Sequence, residues 1–213
     1  MMMPLKGIRV VETGGWMAAP LCARHLGDLG ADVIKVEHPV KGDPTRGFAA
    51  AKTMRDPYTG GFNDVMEVCN RNKRSIGIDI NSQQGMEIMY KLVKKADVFV
   101  TNIREKALIK MGLNYDTVVK INPQIIYGIG SGWGRKGTDK DRPGFDLAAF
   151  AQSGAMHQMS WAGGLPAPLG VAGLGDEINS LMLALGIMTA LFNREHTGEG
   201  QLVHSSLIGS WVE

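Results

Sequence analysis

An α/β fold, a Rossmann-like parallel sheet flanked by helices, is what this sequence predicts, and three observations predict it. Short β-branched runs alternate along the chain with amphipathic helical stretches. The first of these runs, "GIRVVE", reads as a buried strand, as in a parallel sheet covered by helices. With 213 residues, 44% of them hydrophobic, the chain can bury a substantial core.

The elements follow in order. "GIRVVE" (7–12) reads as a buried strand, "APLCARHLGDLGA" (19–31) as a helix ending near Gly30, and "DVIKVE" (32–37) as the next strand, together one βαβ unit. "IGIDI" (76–80) reads as a strand preceded by a turn carrying Arg71, Lys73 and Arg74. A second unit runs from helix 82–96, with Ser82 as N-cap, through strand "DVFVTN" (97–102) and a helical pair over 105–122. Pro123 stops that pair before strand "QIIYGIGSG" (124–132). Beyond residue 140 the texture changes to a helix over 145–160, a loop over 161–175 and a long buried helix over 176–196. Gly198 and Gly200 then punctuate before a strand at 201–206, and the last residues begin another apolar helical pattern without a cap.

Bulk properties narrow the function classes. A formal charge of +2, with no basic block interleaved with aromatics, argues against nucleic acid. The first residues lack the apolar core of a signal peptide, and no uninterrupted apolar run reaches the roughly 18 residues of a membrane span. Cys22 and Cys69 are the only cysteines, which suits free thiols in a reducing cytoplasm and supports neither a disulfide framework nor a metal site.

Four stretches could carry chemistry. The first strand runs into "TGGWMAAP", where Gly14 and Gly15 make a βα turn of the kind that meets ligands at strand carboxyl ends, or a turn that only packs Trp16. Lys73 and Arg74 could clamp phosphate or form a solvated charge run. Asn102 directly follows a strand, with Arg104 and Lys110 behind it, and could equally cap a helix. Asp146, in "PGFD" before an apolar helix, reads as an N-cap or as a nucleophile that forms an acyl intermediate. No G-x-S-x-G occurs, and His157 and His204 are isolated histidines with a structural reading.

Taken together, "GDPTRG", "NRNKRSIGID", "ADVFVTNIREKALIKMGL", "NPQIIYGIGSGWGRKG", "PGFD", "GLGDE" and "HTGEGQLV", in that order, resemble the class III CoA-transferases. The resemblance implies an enzyme that moves coenzyme A from an acyl-CoA to a carboxylic acid, with CoA as a substrate and no metal. It assigns the nucleophile to Asp146, which would pass through an aspartyl anhydride and an aspartyl-CoA thioester. Gly15, Trp16, Met17 and Ala18 would lie along CoA, and Lys73, Arg74, Asn102, Ile103 and Lys110 would line its nucleotide and pantetheine. His38 stands where relatives often carry Arg, and Ser131 where formyl-CoA transferases carry Lys, so oxalate specificity is not implied. The α-methylacyl-CoA racemases, neighbours in this fold, carry His before the matching Asp; Phe145 stands here and exchanges no proton. Asp176 matches those racemases' other acid/base group. "GRKGTDKDRPGFD" and "TNIREKALIKMGL" look most like the branch acting on 2-hydroxy acids such as phenyllactate and 2-hydroxyisocaproate. Family members are longer, so residues 1–213 would be the N-terminal part of the CoA-binding catalytic domain. A homodimer with interlocked chains, or a companion chain with the remaining sequence, is then expected. An alternative from another class is a CoA-binding or assembly subunit without turnover of its own.

Overall fold

The structure, a computed structural model, describes residues 3–50, 63–159 and 173–212. Strand β1 (Arg9–Thr13), helix α1 (Ala18–Asp28) and β2 (Asp32–Glu37) form the expected first unit. Then come a 3-10 helix (Pro44–Ala50), α2 (Asp64–Asn70), β3 (Lys73–Gly77), α3 (Gln83–Lys94) and β4 (Val98–Thr101). Helices α4 (Glu105–Met111) and α5 (Tyr115–Ile121) lead to β5 (Ile126–Ser131). The remainder is α6 (Asp146–Gln152), α7 (Ala155–Gln158), α8 (Leu174–Thr197), β6 (Gln201–Ser206) and α9 (Leu207–Val212).

Among the described residues six strands form one parallel sheet, in the order β3-β2-β1-β4-β5-β6. Alternation along each strand sorts side chains to two faces. Val10, Val98, Val100 and Ile126 pack with α1 and α8, while Val11, Phe99, Tyr127 and Ile129 pack with α3, α4 and α5. The chain grows outward one way from β1 to β3 and the other way from β4 to β6, so the topological switch point lies between β1 and β4. Ligand crevices of open α/β sheets form there, beyond the strand carboxyl ends.

Local chemistry sets the boundaries. Ser82 caps α3 by accepting from Gly85 N at 3.0 Å, and Gly198, at φ 73°, closes α8 by donating to the Arg194 carbonyl. Helix α8 lies close on the sheet because β5 has Gly128 beneath it; a Cβ there would come within 2.7 Å of Ile187 Cδ1. By length and composition α8 could cross a membrane. Its buried residues, among them Leu183, Ile187 and Leu191, instead face the sheet and α1.

Two expectations need correction. Strand β3 spans Lys73–Gly77 rather than 76–80, because it pairs with Val33–Glu37 of β2, so Lys73 and Arg74 begin the strand and do not sit in a turn before it. The helix read over 145–160 is broken after Gln152, where Gly154 adopts φ 86° and starts the short α7. Helix α2 was not anticipated at all. Most of the loop expected over 161–175 lies outside the described residues.

Candidate active site

A groove runs along the strand carboxyl ends as three neighbouring cavities of about 400, 400 and 380 Å³. Asn102 and Ile103, just after β4, belong to the wall of all three. The Asn102 amide fits the peptide of Gly15: its Oδ1 accepts from Gly15 N at 3.2 Å and its Nδ2 donates to Gly15 O at 2.7 Å. Asn102 is therefore not a helix cap; it fastens the β1 turn across the switch point. The next residue, Trp16, has φ 63°, a left-handed conformation uncommon for a bulky side chain. Its ring meets Phe145 edge-on at 6.1 Å and forms part of two of the cavities.

Two carboxylates meet at the start of α8. Asp146, the first residue of α6, is 6% exposed. It does not cap its own helix. Its Oδ1 accepts from Trp211 Nε1 of α9 at 2.7 Å, and its Oδ2 accepts from Gly175 N at 3.1 Å. Gly175 has to be glycine, since a Cβ would strike both the Asp146 carboxylate and the Trp211 indole. Asp176 follows immediately, in the first turn of α8, and lines the central cavity with Trp16, Ala18, Phe145 and Ser131. It has no hydrogen-bond or ion-pair partner among the described residues. Burial, together with the charge of Asp146, pushes its carboxyl up to about 7. Its neighbour Glu177 is occupied instead, both of its oxygens accepting from Arg24 Nη2, at 3.0 and 3.1 Å.

The other anticipated residues fall into two groups. Gly15, Trp16, Ala18, His38, Asn102, Ile103 and Ser131 line the groove. Met17 stands at the N-cap of α1 beneath Gly173. His38 Nδ1 accepts from Val40 N and Lys41 N, which leaves Nε2 to carry the proton. Ser131 Oγ lies 2.9 Å from His204 Nε2. Lys110 lines a smaller adjoining cavity with Arg104 and Lys106. Lys73 and Arg74 are not brought to the groove, because the amino end of β3 faces the other way. Lys73 Nζ is buried and donates to Glu12, the Pro20 carbonyl and Asn70, leaving no hydrogen free. Arg74 makes its fork with Asp32.

Sequence reasoning missed Ile78, Ile80 and Asn81, which follow β3 and line the cavity beside His38, and Arg135, Lys140 and Arg142 in the cavity beside β5. Moving the strand boundary three residues back would have placed Ile78–Asn81 at a carboxyl end, which is the signal that could have found them.

The chain matches the model of CoA-transferase family III over residues 5–213. It is 41% identical to (R)-2-hydroxy-4-methylpentanoate CoA-transferase of Clostridioides difficile over 96% of this chain and 51% of that protein. It is 38% identical to cinnamoyl-CoA:phenyllactate CoA-transferase of Clostridium sporogenes over 96% of this chain and 49% of that protein. The crystal structure of a CaiB/BaiF family protein from Brucella suis superposes with a TM-score of 0.90 at 35% identity, covering 100% of this chain and 55% of that one. The chain thus spans about half the length of the curated relatives it matches. With matches of this depth along nearly its whole length, the chain belongs to CoA-transferase family III.

Proposed function

We propose that this chain is the CoA-binding catalytic part of a CoA-transferase whose nucleophile is Asp176, with Asp146 holding it in place. The observation that carries this reading is a single one: a half-buried carboxylate in the central cavity, with no bonding partner among the described residues and a carboxyl raised to about 7. Just above that pH it is ionised, and its raised basicity makes it a better nucleophile than an ordinary Asp. Asp146, with both oxygens engaged, fixes the peptide of Gly175 and so the start of α8.

In the proposed reaction Asp176 attacks the thioester carbonyl of the donor, the C–S bond breaks, and CoA leaves as thiolate from a mixed anhydride. The thiolate attacks the aspartyl carbonyl, giving an aspartyl-CoA thioester and freeing the donor acid. The acceptor carboxylate displaces the thiolate to make a second anhydride. Attack of that thiolate on the acceptor's carbonyl yields the new acyl-CoA and restores the Asp176 carboxylate. The apolar neighbours Phe145, Ala18 and Leu207 keep water from the anhydrides. A two-base proton transfer of racemase type lacks support, since Phe145 exchanges no proton and the central cavity has no histidine among its described lining residues.

The phosphates of CoA are better served by Arg104, Lys106, Lys110 and Lys140 than by Lys73 and Arg74. Those four flank the groove and its adjoining cavity and have no ion-pair partner among the described residues. A 2-hydroxy acid acceptor is proposed on the printed activities of the two relatives. A second reading, in which the chain binds CoA but turns over only with a second copy or a companion chain, is favoured by the exposed row Leu181, Leu185, Met188 and Phe192 on α8.

The test is chemical trapping. Incubation with acyl-CoA and hydroxylamine or borohydride, followed by peptide mass spectrometry, should mark Asp176 and leave Asp146 unmarked. A label on Asp146 would return the nucleophile to that residue. A CoA dissociation constant with no label on either would favour the second reading.

A further inference from the structure

Four charged side chains are buried together beneath the β1–β2 side of the groove, none of them facing its central cavity. Glu12 of β1 accepts from Lys35 Nζ at 2.6 Å through one oxygen and from Lys73 Nζ at 2.6 Å through the other. Lys35 Nζ also lies 2.8 Å from Asp43 Oδ2. The side chains of Glu12 and Asp43 are 0% exposed and those of Lys35 and Lys73 2%. Two acids and two bases cancel, but a buried set of this kind is often no more stabilising than apolar residues of the same volume. Its geometry suggests what else it does.

The set ends at the β1 turn. Asp43 Oδ1 accepts from Thr45 N at 2.8 Å, from Thr45 Oγ1 at 2.7 Å and from Trp16 N at 3.3 Å. Pro44, the next residue, approaches Gly15 so closely that a Cβ there would lie 3.0 Å from its Cδ. Asn102 grips the Gly15 peptide from the β4 side, while the Asp43–Pro44 corner braces the same turn from the β2 side. Between them Trp16 is kept at φ 63°, a region that a tryptophan leaves when nothing restrains it. Its indole edge then stands between the cavity that holds Asp176 and the cavity beside His38.

We infer that Asp43, held from behind by Lys35, is a positioning residue that sets the Trp16 turn and thereby the shape of the ligand groove. Neither side chain lines the central cavity, although Asp43 also borders the cavity beside His38; the pair acts on the groove through Trp16. The link to CoA affinity rests on the function proposed above, whereas the link to Trp16 does not.

The experiment uses the chain labelled with 5-fluorotryptophan, whose four tryptophans give separate fluorine resonances, that of Trp16 being assigned by its loss in Trp16→Phe. Asp43→Ala and Lys35→Met should each displace or broaden the Trp16 resonance and raise the dissociation constant for CoA about tenfold or more. Asp43→Asn keeps one acceptor oxygen and should show the same displacement at smaller amplitude, so it carries the test if the harsher variants do not fold. Val118→Ala, which opens a cavity in the core on the opposite face, supplies a comparable loss of thermal stability and should leave both readings unchanged. An unmoved Trp16 resonance in the folded Asp43 variants, or an equal displacement in Val118→Ala, overturns the inference. If the unmodified chain takes up no CoA, the proposed function fails, while the Trp16 resonance still decides whether the clamp exists.

Discussion

At the β1–β2 corner Glu12, Lys35, Asp43 and Lys73 are buried as two acids facing two bases; at the α6–α8 corner a buried Asp146 and a half-buried Asp176 meet with no base among the described residues lining their cavity. The same poorly polarisable surroundings have opposite results. At the first corner burial pushes the Asp43 carboxyl up, but Lys35 and the Thr45 donors outweigh it and hold it below its ordinary range. At the second, burial and the Asp146 charge act in one direction, and Asp176 rises to about 7. Burial alone therefore does not raise a carboxyl. What matters is whether a cation shares the space.

The strongest challenge to this comparison is Asp176→Ala, which should reduce transfer and trapped label to background while CoA still binds. Persistent label would mean that the uncompensated corner is not the reactive one. Next in size is Lys35→Met, which leaves two buried acids facing one base. It should destabilise the fold by about 3–5 kcal/mol in denaturant titration. A loss under 1 kcal/mol, on the order of an exposed pair, would mean that water reaches the corner.

The pH dependence of stability should then differ in sign between the corners. Asp176, with its folded value raised from 3.8 to about 7, binds more protons folded than unfolded between those values. Its contribution is fully present below pH 3.8 and is lost as pH rises through about 7, so Asp176→Asn should stabilise the chain at pH 8 and not at pH 3.5. Asp43, held low, contributes above its ordinary 3.8 and loses that contribution as pH falls through its depressed value, so Asp43→Asn should flatten the acid side of the curve. Thermal unfolding from pH 3 to 8 checks both slopes.

A smaller effect should follow from Asp146→Asn. Removing that charge should move the midpoint of Asp176 labelling from about 7 toward the ordinary carboxylate range without erasing it, because burial remains. The smallest effect belongs to Arg74→Ala, which breaks only an exposed pair with Asp32 and should change stability by less than about 1 kcal/mol and CoA affinity not at all.

How far the sequence carried depended on the kind of information each element holds. Strands β1, β2, β4 and β5 were legible because their short β-branched runs are largely buried. Edge strand β3 was not, since its residues are largely exposed and its position is decided by pairing with β2, while the apolar alternation of Ile76, Ile78 and Ile80 points three residues too far on. That shift led to Lys73 and Arg74 and hid Ile78 and Asn81. Asn102 and the β1 turn were legible from their places after strands. Asp146 and Asp176 were both visible in their motifs, but which one faces the cavity depends on Trp211, 65 residues beyond Asp146. The brace on Trp16 was equally out of reach, because Asp43 lies 27 residues away and its partners only gather when the sheet forms.

The crossover from β5 to β6 has a consequence in time. The chain between β5 and β6 is long, and loop closure costs more entropy as loops lengthen, so pairing of β6 with β5 should lag the rest of the sheet. The stretch from β1 to β5 already contains Asn102, Asp43 and Pro44, which brace the Trp16 turn. Trp211 lies on α9, after β6, so the seat of Asp146 is completed by an element that follows this crossover. The Gly15–Trp16 turn can thus be set before the Asp146 carboxylate has its Trp211 partner.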